Sequence, residues 1–99
     1  MSDWHLYLVR TDTGALYTGI STDVEKRFEA HRLGRGSKFL RAQNSIELVY
    51  QCPIGDRSLA SRAEYRLKQL DKGEKELILR NSTDRVELLE LLGIDQKPD

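Results

Sequence analysis

Two tyrosines, an arginine and a histidine lie in the first third of the chain at spacings that could gather them around one phosphate. Residues 16–31 read LYTGISTDVEKRFEAH. Arg27 and His31 are four apart, so a helix would stack them on one face. A guanidinium offers phosphoryl oxygens a rigid fork of donors. Tyr17 precedes this pair, and Tyr7 stands ten residues before Tyr17. The same spacings also suit a solvated Arg–His pair on an ordinary helix and two half-buried core aromatics, so spacing alone does not decide.

The elements that must position these groups can be read from the same stretch. Residues 4–10 are apolar at nearly every position, which predicts a central strand buried on both faces. Asp12-Thr13-Gly14 predicts a three-residue hairpin turn with Gly14 in a left-handed conformation, followed by a strand over 15–20. If Thr11 pairs with Ala15, odd-numbered residues of both strands share a face, and Tyr7 and Tyr17 project to the same side. Gly19, near the end of the second strand, permits an unusual backbone angle or a close approach by a ligand such as a nucleic-acid backbone. Thr22 and Glu25 fit a capping box opening a helix over 24–33, with Val24 and Phe28 as its buried stripe and Gly34 as its stop.

Tyr7 within HLYLV, then Tyr17-Thr18-Gly19, then Arg27 and His31, then Glu64 in a later amphipathic helix form an order that resembles the GIY-YIG nuclease family. Within it, the chain looks most similar to the small single-domain YhbQ-like type. The resemblance runs from about Trp4 to Leu70. Two departures stand out. The first motif reads His5-Leu6-Tyr7, without its usual glycine and isoleucine, and the Asn that many members carry after the Glu has only Asn81 as a candidate.

The resemblance implies a small α/β (α+β) domain, a three-stranded, largely antiparallel sheet flanked by helices. It implies a magnesium- or manganese-dependent DNA endonuclease with Tyr7, Tyr17, Arg27, His31 and Glu64 as catalytic residues. Glu64 would hold one divalent ion that keeps several waters. Tyr17 would act as general base, with His31 relaying the proton and Tyr7 orienting the water or the phosphate. A phenol ordinarily titrates near ~10, so a neighbouring cation would be needed to activate one. With a single domain and no added reading element, the substrate would be branched, nicked or single-stranded DNA, cut with little sequence specificity. Such structure selectivity would suit a role in DNA repair or recombination. The alternatives are a non-catalytic nucleic-acid-binding module on the same fold and a protein-interaction domain.

The 99 residues suffice for one domain, placed at 1–93 with a polar tail at 94–99. Nothing approaches a run of ~18 apolar residues, and the N-terminus lacks a signal-peptide pattern. The single cysteine, Cys52, cannot form an internal disulfide, so a reducing cytoplasm is expected. Cys52, His5 and His31 show no metal-ligand spacing. No glycine fingerprint opens a helix after a strand, which argues against a nucleotide cofactor. Net charge is zero, but residues 24–44 hold six basic and two acidic groups, net +4, while 84–99 hold five acidic and two basic, net −3. This asymmetry predicts local contact with a polyanion. Gly34-Arg35-Gly36-Ser37-Lys38 reads either as a solvated connector or as a phosphate clamp with Arg35, Lys38 and Arg41. Phe39-Leu40 would pack this loop onto the core.

Further on, 45–52 predicts a third strand ended by Pro53 and Gly55, with Asp56 capping a helix over 57–70. Leu59, Ala63, Leu67 and Leu70 form its buried stripe. Glu64 lies about 100° from the stripe's centre, at the boundary of core and solvent. It could equally pair with Arg62, Arg66 or Lys68. Residues 74–80 predict a short helix with Leu77 and Ile78 inward, and 82–92 a last one carrying Val86, Leu88, Leu89, Leu91 and Leu92.

Overall fold

A computed structural model of the chain describes residues 3–94. Three strands, β1 (Trp4–Thr11), β2 (Leu16–Ser21) and β3 (Ile46–Gly55), form an antiparallel sheet in the order β2-β1-β3. Five helices accompany them: α1 (Val24–Arg32), α2 (Lys38–Arg41), α3 (Arg57–Lys68), α4 (Lys72–Arg80) and α5 (Arg85–Leu91).

The first hairpin sets the geometry of the whole molecule. The Thr11 N–H donates to the Ala15 carbonyl at 2.9 Å, and Gly14 takes φ +91°, which a side chain would resist. The resulting register places Tyr7 opposite Gly19 and Val9 opposite Tyr17. Strand alternation then sends Tyr7, Val9 and Tyr17 to one face and Leu6 and Leu8 to the other.

Both faces are covered, which is why Leu6 to Val9 are at most 1% exposed. Tyr7 and Val9 pack with Val24 of α1 and Leu40 of α2. Leu6 and Leu8 join Cys52, Ile54, Ala60, Ala63, Leu67, Ile78, Leu88, Leu89 and Leu92 in the larger core. Each of the large aliphatic side chains contributes about 1.5–3 kcal/mol on burial. Among the described residues no helix is long and apolar enough to cross a membrane.

Several local expectations need correction. The N-cap of α1 is Asp23, not Thr22; its carboxylate accepts from the Lys26 N–H at 3.1 Å. The helix therefore starts one residue later than Thr22 would set it, and Glu25 cannot close a box. β3 does not stop at Pro53 but runs to Gly55, with Pro53 opposite His5. An edge strand tolerates this because its outer N–H positions need no partner strand. Residues 38–41 form a helical turn that overlaps the expected 34–38 loop only at Lys38, capped by Ser37, whose Oγ accepts from the Leu40 N–H at 3.2 Å; of the expected packing pair only Leu40 is buried, with Phe39 47% exposed. Leu77 is 50% exposed rather than inward; Val86 and Leu91 are exposed as well, at 54% and 63%. Ile94, assigned above to the tail, is buried in the larger core; residues 95–99 lie outside the described residues.

Candidate active site

Tyr7 is the centre of the candidate site, and Gly19 is the reason its ring can lie where it does. A Cβ on Gly19 would stand 2.5 Å from Tyr7 Cζ, 2.9 Å from Cε1 and closer still to the hydroxyl. The absent side chain lets the Tyr7 ring cross over β2. A close approach expected at Gly19 is made by this ring.

The crossing carries the Tyr7 hydroxyl to α1. Tyr7 Oη lies 2.9 Å from His31 Nε2, and His31 Nδ1 lies 3.2 Å from the Arg35 carbonyl. A carbonyl can only accept, so Nδ1 carries the proton and Nε2 accepts from the phenol. Tyr7 is 1% and His31 2% exposed, so both groups of this chain are shielded from bulk water. Burial lowers the His31 pKa below the ordinary imidazole value, and the Arg27 charge adds to that; the bond to the Arg35 carbonyl opposes both. The shift favours the neutral imidazole, the form in which Nε2 accepts from the phenol.

Tyr17 and Arg27 flank the Tyr7–His31 pair. Burial, with Tyr17 and Glu64 in support, pushes the Tyr7 pKa up to about 12 against the pull of the Arg27 guanidinium. Arg27 is exposed, one turn before His31, and the loop after α1 folds against it: Gly36, at φ +84°, leaves space that a Cβ would fill 2.9 Å from Arg27 Nη2. Tyr17 is half-buried. Its ring meets the His31 ring edge-on, with centroids 5.5 Å apart and planes at 73°. The Tyr7 and Tyr17 centroids are 6.5 Å apart.

Glu64 comes from α3, whose Ala60, Ala63 and Leu67 pack into the larger core, and its charge is the smallest of the influences on the Tyr7 pKa. Its side chain is 25% exposed and sits 3.4 Å from the Lys68 ammonium, which is itself 54% exposed. The competing ion pair is therefore with Lys68; an exposed pair of this kind contributes at most about 1 kcal/mol and yields readily. One partly exposed carboxylate, reachable by water and held by a packed helix, suits a hard divalent ion that retains most of its waters.

Other expected residues fall outside this cluster. Arg35 contributes its backbone carbonyl, while its side chain is exposed like those of Lys38 and Arg41. Arg41 packs beside Gly34, 3.5 Å from where a Cβ would be. Asn81 caps α4 and lines a groove with Leu70, Leu77 and Leu91, which none of the five candidate residues shares. Two participants had no sequence assignment: the Arg35 carbonyl and Gly36. A glycine pair flanking Arg35 just after the Arg–His helix was the available signal.

Comparison with known proteins gives the family. Residues 3–76 match the family described as the GIY-YIG catalytic domain. The UPF0213 protein YhbQ of Shigella dysenteriae is 51% identical over 92 residues, covering 93% of this chain and 92% of its own. YhbQ of Escherichia coli K12 shows the same identity and coverage. A UPF0213 protein of Bacillus halodurans, solved by solution NMR, superposes with a TM-score of 0.54 at 28% identity, covering 94% of this chain and 99% of that one.

Proposed function

The chain belongs to the GIY-YIG family, and on that premise we propose that it is a divalent-metal-dependent endonuclease hydrolysing DNA phosphodiesters. We take its selectivity to be for DNA structure rather than sequence. One observation carries the reading: the Tyr7 hydroxyl lies 2.9 Å from His31 Nε2, the Tyr17 ring meets the same imidazole edge-on, and Arg27 stands one helical turn before it.

The residues divide the work by exposure. Arg27, open to solvent, can fork onto the phosphoryl oxygens and neutralise charge that grows in the transition state. Tyr17, half-buried, is the phenol that an attacking water can reach; with its own proton first lost to solvent, its phenolate is what we assign as proton acceptor. Tyr7 is poorly suited to that step, because its proton is committed to His31 and its pKa is pushed up to about 12. Tyr7 and His31 instead hold the local geometry, with the Arg35 carbonyl fixing the tautomer. Glu64 would hold the divalent ion, magnesium or manganese, which supplies Lewis-acid stabilisation of the phosphoryl and leaving oxygens when bound.

The test is Glu64→Gln. Gln keeps the shape and helix propensity of Glu while removing the charge that recruits a cation. Cleavage in a magnesium or manganese titration should fall by orders of magnitude, with metal-free DNA binding held or slightly strengthened. Loss of the Lys68 pair alone would cost no more than about 1 kcal/mol of stability and leave cleavage intact. Equal cleavage by wild type and variant would remove the metal assignment. If wild type cuts no DNA structure with either ion, the fold is serving as a binding module.

A further inference from the structure

Phe39 is a large aromatic left 47% exposed at the margin of the candidate site, and the fold gives it no core to fill. In the same turn Leu40, 2% exposed, anchors α2 to Tyr7, Val9 and Val24. Phe39 faces Tyr17 instead. The ring planes are 12° from parallel with centroids 6.5 Å apart, in the range of offset stacked pairs. Phe39 therefore extends the Tyr17 plane outward, and its uncovered half faces solvent.

The presentation is rigid. Ser37 caps the turn, Leu40 buries it, and the Gln43 side-chain amide donates to the Phe39 carbonyl at 3.0 Å. Both neighbours in the turn other than Leu40 are cations: Lys38 precedes the ring and Arg41 follows it, both exposed. Beyond Arg41, a polar depression of about 400 Å³ is lined by residues that include His31, Arg41, Gln43 and Asn44. An exposed, fixed aromatic ring between cations is the combination by which proteins hold unpaired nucleotides: the ring takes a base face and the cations follow the backbone.

We propose that Phe39 is a base-stacking platform for one unpaired nucleotide next to the phosphate held by Arg27, so the preferred substrate is DNA with a single-stranded nucleotide at the cut. This rests on the nucleic-acid reading above and narrows it. In a continuous duplex each base face is already stacked on its neighbours, and the Phe39 face would be left empty. At a single-stranded segment, a flap junction or a gap, a base is free to lie on it.

The experiment compares wild type, Phe39→Leu and Phe39→Trp. Leu retains apolar contact with Tyr17 but has no π-face, and Trp restores one. Binding of an oligodeoxythymidylate and of a blunt duplex is measured by fluorescence anisotropy in a chelator, so that no cleavage enters. The expected result is that Phe39→Leu binds the single strand about tenfold more weakly, near the lower end for loss of one stacked base because part of the ring is already covered. Duplex binding and the salt slope should be unchanged, and Phe39→Trp should match wild type. An equal loss on both DNAs, or no loss on either, overturns the platform; thermal melts of the three proteins identify a loss that comes from misfolding. The two readings fail separately. Wild type and Phe39→Leu cleaving single-stranded and duplex DNA in the same ratio would remove the platform and leave the hydrolase. A Phe39-dependent preference for the single strand without cleavage in magnesium or manganese would keep the platform and remove the hydrolase.

Discussion

Replacing Gly19 by Ala tests the claim that one missing side chain positions the site. Gly19 has no positive φ to relieve, so on backbone grounds Ala should stabilise the strand by about 0.5–1 kcal/mol. Sterics act against this. The new Cβ would sit 2.5 Å from Tyr7 Cζ, whereas carbon atoms prefer about 3.5–4 Å. The ring would have to retreat by about 1 Å into a neighbourhood where Tyr7 is already 1% exposed. Overpacking of a core typically costs about 1–3 kcal/mol. The 2.9 Å bond to His31 would stretch or break, leaving buried polar atoms unsatisfied at about 1–3 kcal/mol. The unfavourable terms win, and a net loss of about 1–4 kcal/mol is expected by urea denaturation. Cleavage should fall more steeply, by about 10²-fold, as displacements near 1 Å do in active sites. The control is the same change in a Tyr7→Leu background. There the clash is absent, and Gly19→Ala should become neutral or stabilising, a coupling that a double-mutant cycle reads directly. A Gly19→Ala chain as stable and as active as wild type would refute the reasoning.

Two further expectations concern charge. His31 has a folded pKa depressed chiefly by burial, so between that value and the unfolded value near ~6.5 the unfolded chain binds more protons. Its contribution is complete above ~6.5 and is lost as pH falls through the folded pKa; melting temperature followed downward from pH ~7 should drop more steeply in wild type than in His31→Gln, and parallel curves would defeat this. Lys38→Ala with Arg41→Ala should weaken duplex binding and reduce the slope of log K against log salt by about 1–2, whereas an unchanged slope would assign both to the solvated surface.

What could be read in advance was whatever rests on period and turn chemistry. Gly14 in a three-residue loop fixed the hairpin register, and that register alone put Tyr7 and Tyr17 on one face. The four-residue spacing of Arg27 and His31 placed them on one side of α1. Helical period located Glu64 at a core boundary, while its grouping with Tyr7 came from the family resemblance alone. The short turn of α2 has too few residues to display a period, so its start at Lys38 was not legible. In α4 and α5 apolar residues occupy more of the surface than the core can take, and sequence offered no means of choosing Ile78 over Leu77. The Arg35 carbonyl was invisible because a backbone acceptor has no residue type.

The Arg66 guanidinium, on the same helix as Glu64, donates to the Leu92 carbonyl at 3.0 Å, at the C-cap of α5. A cation on the last carbonyls of a helix is favoured by its dipole, so the contact is well matched at both ends. It has a consequence for grafting. The family match covers 3–76, yet α3, which bears Glu64, shares its core with Ile78, Leu88, Leu89 and Leu92 from beyond that segment. A transplant of 3–76 alone would carry every candidate catalytic residue, cut α4 short and open one side of that core. A graft that keeps the core closed takes α4 and α5 with it.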